Sequence, residues 1–342
     1  MQRRLIVVTN GAPVRCMSGA DMDFQLKTGE KFSCIAFENL RIDDSISKPL
    51  SLGDGIWILP KHPFSLDKHW REWIGKIKAE KVDRCNLFFL AAIASERPEV
   101  LDGENQMLQR RLSRLLYGLL LQGIPDHIDG FVLTGAQLSD GSHIRQYGEM
   151  RDYYNSKPKN RVTVNESLCR QAKVFEERYA CIEDSSDYAR VKRGMRALLR
   201  AISEPNIQER IHEYVRALEA VAKPEVGKST TQFTHRCLTF ALASIATRAV
   251  LKECYNIRSA VEHMNFVDDV FSGCSSSEIP LRIEQRVRQI EKLATSVYLR
   301  LTTSPKHSKI FETDTAIDNF WSKPDDERHT LWGQPVDISV IG

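Results

Sequence analysis

Apolar residues in the second half of the chain recur at steps of three and four positions, which is the pattern of amphipathic helices. Segments of this kind follow Asp187 and Asn206, two residue types that cap helix N-termini, and others cover residues 230–264 and 279–301. Four such segments joined by short turns predict an antiparallel helical bundle. A further helix is predicted just before them, over residues 165–181.

The first 60 residues follow a different pattern, in which short runs rich in β-branched and aromatic residues are separated by glycine-containing turns. Such runs predict the strands of a small antiparallel sheet. The predicted strands are RRLIVVT at 3–9, DFQLKT at 23–28, KFSCIAF at 31–37 and GIWILP at 55–60. The sequence then predicts helices over 66–79 and 106–122, a buried strand or helix over 86–93, and a strand over 131–138. The predicted fold class is α+β: a small β-rich mixed N-terminal domain followed by an all-α antiparallel helical bundle.

A polar stretch at 155–160 separates the two patterns, and its proline and clustered charge without periodicity predict a linker. We therefore expect a mixed α/β domain of unknown role over 1–157 and a helical domain over 163–303. The remaining residues, 304–342, contain large aromatic residues among polar ones. We expect this segment to be a C-terminal tail that packs on the rest of the protein. Those aromatic residues are Phe320, Trp321 and Trp332.

Composition narrows the possible functions only modestly. With 342 residues, 42% of them hydrophobic and 27% charged, the chain is typical of a globular protein, and its net charge of +3 permits a nucleic-acid partner without requiring one. No two of the eight cysteines form a C-x-x-C pair, which favours reduced thiols and predicts neither a metal site nor a cofactor. The longest apolar run, 87–94, is too short to span a membrane, so we expect a cytoplasmic protein without a membrane partner.

The candidate chemistry lies in the segment LKECYNIRSAVEHMN at 251–265, where four residues separate Arg258 from His263. The apolar stripe of this predicted helix places Arg258 on its shoulder and His263 nearer to solvent. Neither residue is therefore predicted to be in the core. Taken alone, the spacing also fits a surface ion pair between Arg258 and Glu262, with His263 incidental.

Three segments around this pair, HEYVRALEA at 212–220, QFTHRCLTF at 232–240 and YNIRSAVEH at 255–263, resemble the Apea-like branch of the HEPN superfamily. In that family an Arg-polar-x-x-x-His element is the ribonuclease motif, and it corresponds here to Arg258, Ser259 and His263. The resemblance implies supporting roles for Ser259, Glu262 and Glu219. It also implies a helical bundle, a homodimer in which two copies of the motif meet, and a link to defence against phage or a toxin-like response, with the N-terminal domain sensing an unknown trigger.

These residue types suit RNA cleavage without a metal ion. The RNA 2′-hydroxyl can attack the adjacent phosphorus once a base takes its proton, and histidine transfers protons near neutral pH. Arginine is always charged, and its planar guanidinium matches phosphate oxygens. We therefore predict a metal-independent endoribonuclease acting on RNA. The alternative is a non-catalytic helical module for dimerisation or for binding a nucleotide or other ligand.

Other motifs are weaker. Three arginines on one helix, Arg193, Arg196 and Arg200, are candidates for binding RNA phosphates, although a solvated helix face is the simpler explanation. Arg300 and His307 also fit a loose Arg-His spacing, but Pro305 is predicted to end the helix between them. The segment AKPEVGKS at 222–229 fits a loose phosphate-binding loop, yet a helix is predicted before it where such a loop requires a strand. Arg110, Arg111 and Arg114 are predicted to be solvated.

Overall fold

The computed structural model describes residues 24–38, 40–64, 66–123, 129–150, 152–154 and 163–341. Its N-terminal part contains a six-stranded sheet in which every pair of neighbouring strands is antiparallel. The strands are β1 (Glu30–Glu38), β2 (Leu50–Gly53), β3 (Ile56–Leu59), β4 (Cys85–Ala94), β5 (Asp129–Leu138) and β6 (Gly141–Glu149), in the order β2-β3-β4-β1-β5-β6. A largely helical region follows, which confirms the predicted α+β class.

Both faces of the sheet are covered, because side chains along β1 alternate between two apolar layers. Phe32 and Cys34 face the short helices α1 (Lys68–Ile74) and α2 (Lys76–Arg84). Ile35 and Phe37 face the opposite side. There they pack with the leucine-rich face of α3 (Gly103–Leu121), a helix that starts with a capping box at Asp102.

The helical region contains six long or medium helices. They are α4 (Glu166–Asp184), α5 (Ala189–Ser203), α6 (Ile207–Ala222), α7 (Ser229–Cys237), α8 (Ile245–Glu262) and α9 (Ile279–Thr303). Helix α6 packs against α5, α8 and α9 and is therefore central. Helix α5 approaches both α6 and α9 closely at Gly194: a Cβ added there would lie 2.9 Å from the Cβ of Ala220 on α6 and 1.6 Å from the hydroxyl of Tyr298 on α9. That hydroxyl donates to the carbonyl of Ala217 on α6 over 2.7 Å.

The C-terminal tail packs on these helices through three short helices, α10 (Pro305–Ile310), α11 (Asp314–Trp321) and α12 (Asp325–Trp332). Its aromatic residues Phe320, Trp321 and Trp332 are buried. The indole N–H of Trp321 donates to the carbonyl of Val221 at the end of α6 over 3.0 Å. Val336 then bridges to Ala241, so that the tail covers the connection between α7 and α8.

One hydrophobic core runs from the sheet through α3 and α4 into the helices of the C-terminal part. At the α3–α4 contact, a Cβ added at Gly118 would lie 2.8 Å from the Cβ of Phe175. The same interface contains ion pairs, which corrects the prediction that Arg111 and Arg114 are solvated. Arg114 lies 2.7 Å from Glu183 and Arg111 3.5 Å from the buried Glu176, because α4 covers this side of α3. The predicted linker at 155–160 lies outside the described residues, and the division into domains stays a prediction.

Several local predictions are wrong, and each has a physical reason. Residues 24–27 form no strand, because the chain enters β1 through a turn at Gly29, whose φ is +88°. The predicted helix at 66–79 is broken at Gly75, whose φ of +87° is incompatible with an α-helix. Asp187 does not cap α5: the cap is Tyr188, whose N–H donates to the carbonyl of Glu312 in the tail.

Strands β2 and β6 are absent from the sequence prediction, because neither has the expected composition. β2 has the short sequence LSLG, and β6 has the polar sequence GSHIRQYGE. Both are edge strands, which form because a neighbouring strand supplies backbone hydrogen bonds. The predicted strand at 3–9 lies outside the described residues.

No helix within the described ranges has both the length and the apolar composition needed to cross a bilayer.

Candidate functional site

Helix α8 carries the candidate pair at its C-terminal end. It begins at the cap Ser244, whose side chain accepts from the N–H of Thr247, and it ends at Glu262. His263 is the C-cap, one residue beyond the helix in which the sequence pattern places it. The ending is a Schellman motif, in which the N–H of Met264 donates to Val261 and that of Asn265 donates to Ala260. Glycine usually occupies the left-handed position of this motif, whereas here Met264 has a φ of +55°.

Arg258 forms its closest ion pair with a residue of α6. Its side chain is 20% exposed, and Nη2 lies 3.1 Å from Oε2 of Glu219 and 3.9 Å from Oε2 of Glu262. The ion pair with Glu262 considered from the sequence is therefore present, but Glu219 is the closer partner. The guanidinium carbon lies 5.8 Å from the ring centroid of Tyr255, and Nε is buried without a hydrogen-bond partner among the described residues.

Glu219 connects Arg258 to Tyr255. Burial raises the pKa of the Tyr255 phenol, and the negative charge of Glu219 adds to the increase. A hydrogen bond with Ser229 and the positive charge of Arg258 act in the opposite direction. Residues from α6, the start of α7 and α8 thus form one polar cluster.

His212 joins this cluster, although the sequence offers no signal for it. It lies on α6, seven residues before Glu219 and therefore on the same helix face, and only 7% of it is exposed. Its Nδ1 lies 3.4 Å from the carbonyl oxygen of Arg258, and its Nε2 lies 3.5 Å from Oε2 of Glu262. His212 therefore contacts the last turn of α8 at two points.

His263 is exposed, whereas Ser259 is partly buried and its carbonyl accepts the backbone N–H of His263 over 3.1 Å. Two large apolar side chains follow His263 on the surface, Met264 at 96% exposure and Phe266 at 82%. The candidate histidine thus lies beside an exposed apolar patch.

The three candidate RNA-binding arginines lie elsewhere. Arg193, Arg196 and Arg200 are exposed on one face of α5. Helix α5 meets the Ala220 side of α6 through Gly194, whereas His212 and Glu219 face α8 from a different side of α6. Within this chain, the structure does not bring the arginine stripe into the Arg258 cluster.

The second Arg-His spacing is structural. Helix α9 ends at Thr303, before Pro305, as predicted. Arg300 donates to the carbonyls of Trp332 and Gln334, and Nε2 of His307 lies 2.9 Å from the carbonyl of Trp332, so both residues anchor the tail. The segment at 222–229 that fits a loose phosphate-binding loop follows α6, and Lys223 is the C-cap of that helix. A helix therefore precedes the segment where such a loop requires a strand.

The described part of the chain contains no group of three or more His, Cys, Asp or Glu side chains placed to hold a metal ion. Two surface depressions, of about 630 and 520 Å³, lie beside the start of α4 and along α1 and α2, and the residues lining them do not include Arg258 or His263. Comparisons of the chain with protein-family models, with curated proteins and with solved structures found no match.

Proposed function

We propose that the chain is a metal-independent endoribonuclease of the HEPN type, with Arg258 and His263 as its catalytic residues. The observation that supports this proposal is the end of α8, where a guanidinium fixed by Glu219 and an exposed imidazole occupy the last turn and the cap of one helix. These are a fixed positive charge and an imidazole, the side-chain type most often used for proton transfer in catalysis. Glu219, Glu262 and Ser259 have supporting roles.

In the proposed reaction, His263 takes the proton of an RNA 2′-hydroxyl, and the 2′-oxygen forms a bond to the adjacent phosphorus. The bond from phosphorus to the 5′-oxygen breaks, that oxygen takes a proton from solvent water as it leaves, and the imidazolium of His263 returns its proton to solvent. Arg258 stabilises the charge that develops on the non-bridging phosphate oxygens. The products are a 2′,3′-cyclic phosphate and a 5′-hydroxyl, and DNA, which lacks the nucleophile, is inert.

A homodimer suits this reaction. Five positions along a helix correspond to a rotation of roughly 140°, so Arg258 and His263 diverge on a single copy. A two-fold axis beside α8 brings the arginine of one copy towards the histidine of the other with a single symmetric interface. Exposed Met264 and Phe266 are available for that contact.

The other parts of the chain have roles that rest on the resemblance to HEPN proteins. Arg193, Arg196 and Arg200 bind RNA phosphates away from the scissile bond. The N-terminal domain senses a trigger in defence against phage or in a toxin-like response, and the location is cytoplasmic.

The test is cleavage of labelled single-stranded RNA by the purified full chain. We expect cleavage to persist in EDTA, the matching DNA to remain intact, and His263→Ala to lower the rate on the order of 10²-fold. His69→Ala, which changes another exposed histidine, is the matched control. A requirement for Mg²⁺, or parental cleavage by His263→Ala, contradicts the proposal.

A second candidate is a non-catalytic module for dimerisation or ligand binding. It is favoured by two carboxylates within 4 Å of Arg258, which already neutralise this cation, and by the apolar patch beside His263. A Met264→Ser/Phe266→Ser variant distinguishes the two candidates by sedimentation and cleavage. A parent that dimerises without cleaving RNA, and a variant that dissociates, support the module.

A further inference from the structure

The charges around Arg258 do not favour a phosphate unless another cation is present. Arg258 contributes +1, while Glu219 at 3.1 Å and Glu262 at 3.9 Å contribute −1 each. With neutral histidines the group carries a net charge of −1. A phosphodiester brings a further negative charge, and like charges at close range repel.

The contacts of His212 indicate that its imidazole supplies this further cation. Its Nδ1 lies 3.4 Å from the carbonyl oxygen of Arg258, and its Nε2 lies 3.5 Å from the carboxylate of Glu262. Both partners are acceptors only. A neutral imidazole has one N–H and can serve only one of them, whereas an imidazolium donates to the carbonyl and forms an ion pair with the carboxylate.

His307 shows the opposite arrangement. One of its partners is the carbonyl of Trp332, an acceptor, but the other is the hydroxyl of Ser304, which can donate. A neutral ring with its proton on Nε2 satisfies both. The two acceptors around His212 therefore distinguish it from His307.

We propose that His212, as an imidazolium, is a positioning residue that neutralises Glu262 and thereby allows Arg258, which stays paired with Glu219, to bind an RNA phosphate. The inference rests on the proposed function. His212 is 7% exposed and acts through Glu262 and Arg258. With His212 charged, the cluster of Arg258, His212, Glu219 and Glu262 is neutral before the phosphate arrives.

The test is a double-mutant cycle on binding, with a 2′-O-methyl oligoribonucleotide that lacks the nucleophile and is not cleaved. His212→Gln keeps an N–H donor but removes the charge, and we expect it to weaken binding about fivefold, the scale of one partly exposed ion pair. Glu262→Gln removes a carboxylate that His212 already neutralises, and we expect it to leave the affinity near the parental value. In the Glu262→Gln background, His212→Gln has no further effect, because no charge is left to neutralise.

Two controls complete the design. Glu72→Gln changes an exposed glutamate on α1 and leaves the affinity at the parental value. Glu262 is 44% exposed, so Glu262→Gln tests the proposal even if replacement of the buried His212 prevents folding. Stronger binding by Glu262→Gln would show that its charge is not neutralised in the parent, and weaker binding would show that the carboxylate itself is needed; either result overturns the proposal.

The failures are distinguishable. If Arg258→Ala lowers the affinity but the two substitutions are additive, His212 acts by packing, and this inference alone is wrong. If Arg258→Ala binds as tightly as the parent, no phosphate is bound at Arg258, and the proposed function also loses its site.

Discussion

Nη2 of Arg258 lies 3.1 Å from Oε2 of Glu219, which precedes it by 39 residues and lies on a neighbouring helix. Both side chains are mostly buried, at 20% and 17% exposure. Their contact therefore links the candidate catalytic arginine to the packing of α6 against α8. This gives Arg258 a structural role in addition to the proposed catalytic one.

Replacement of Arg258 with Ala is expected to lower both stability and cleavage. It leaves the carboxylate of Glu219 without its cation, at a cost of about 1–3 kcal/mol in the free energy of unfolding. Adding Glu219→Gln should recover part of this loss, because a neutral amide is less costly to bury. Urea denaturation measures both variants, and exposed His263→Ala is the control that should unfold like the parent. Equal stability of Arg258→Ala and the parent would show that the ion pair contributes nothing.

Arg258→Lys separates charge from geometry at the same position. A lysine keeps the positive charge but does not offer a phosphate the two parallel N–H donors of a guanidinium. We expect only partial recovery of cleavage relative to Arg258→Ala, measured as single-turnover rates on one RNA. Full recovery would mean that a point charge suffices.

Met264→Gly is expected to stabilise the protein. The φ of +55° at Met264 is unfavourable for a residue with a Cβ, and glycine removes a cost of about 1 kcal/mol. The measurement is the free energy of unfolding in urea. Met264→Ala is the matched control, because it also removes the exposed side chain but keeps the Cβ, and it should bring no such gain. If the glycine variant is no more stable than the alanine variant, the positive φ at Met264 is not a source of strain.

The sequence predicts the parts of this fold that have a strong local pattern. Helix α9 is predicted over 279–301 and found over Ile279–Thr303, because its apolar stripe is uninterrupted. β6 is not predicted, because its polar sequence GSHIRQYGE forms a strand only beside β5. A long-range partner, rather than local propensity, decides that segment.

The same distinction applies to the candidate site. The apolar stripe places Arg258 on the shoulder of α8 and His263 nearer to solvent, and in the structure Arg258 is mostly buried and His263 is exposed. The contacts of His212 and Glu219 with α8 depend on how α6 packs against it, which no local spacing encodes. The left-handed Met264 is likewise unpredictable, because glycine is the residue that signals such a helix end.

His307 should make stability depend on pH. Its pKa is lowered, chiefly by burial and further by the positive charges of Arg300 and Lys306, while the hydrogen bond to Trp332 opposes the shift. The folded state therefore binds fewer protons than the unfolded state. The stabilisation is complete above the unfolded pKa of about 6.5 and is lost as pH falls below that value towards the folded pKa.

We expect His307→Gln to reduce the fall in melting temperature between pH 7 and pH 5, while His69→Gln leaves that fall unchanged. Cleavage of RNA by His307→Gln should stay at the parental rate, since this histidine anchors the tail. If the melting temperature of His307→Gln falls as much as that of the parent, titratable groups other than His307 cause the pH dependence.

The arginine stripe on α5 should contribute to RNA affinity through salt-dependent phosphate contacts. Replacing Arg193, Arg196 and Arg200 with Ala removes three exposed cations on one helix face. Each phosphate contact on a single strand adds about 0.7 to the slope of log K against log salt, so the triple variant should lose roughly 2 from that slope. The measurement is fluorescence anisotropy of a labelled RNA over a range of KCl concentrations.

The control replaces three exposed cations that are scattered over other helices, Lys68, Arg110 and Arg248, and matches the change in net charge. If both triple variants lose the same slope, only the net charge matters, and the stripe is a solvated helix face. If the stripe variant alone loses it, RNA follows α5, and its path to His263 must cross either the surface of one protomer or the interface with a second.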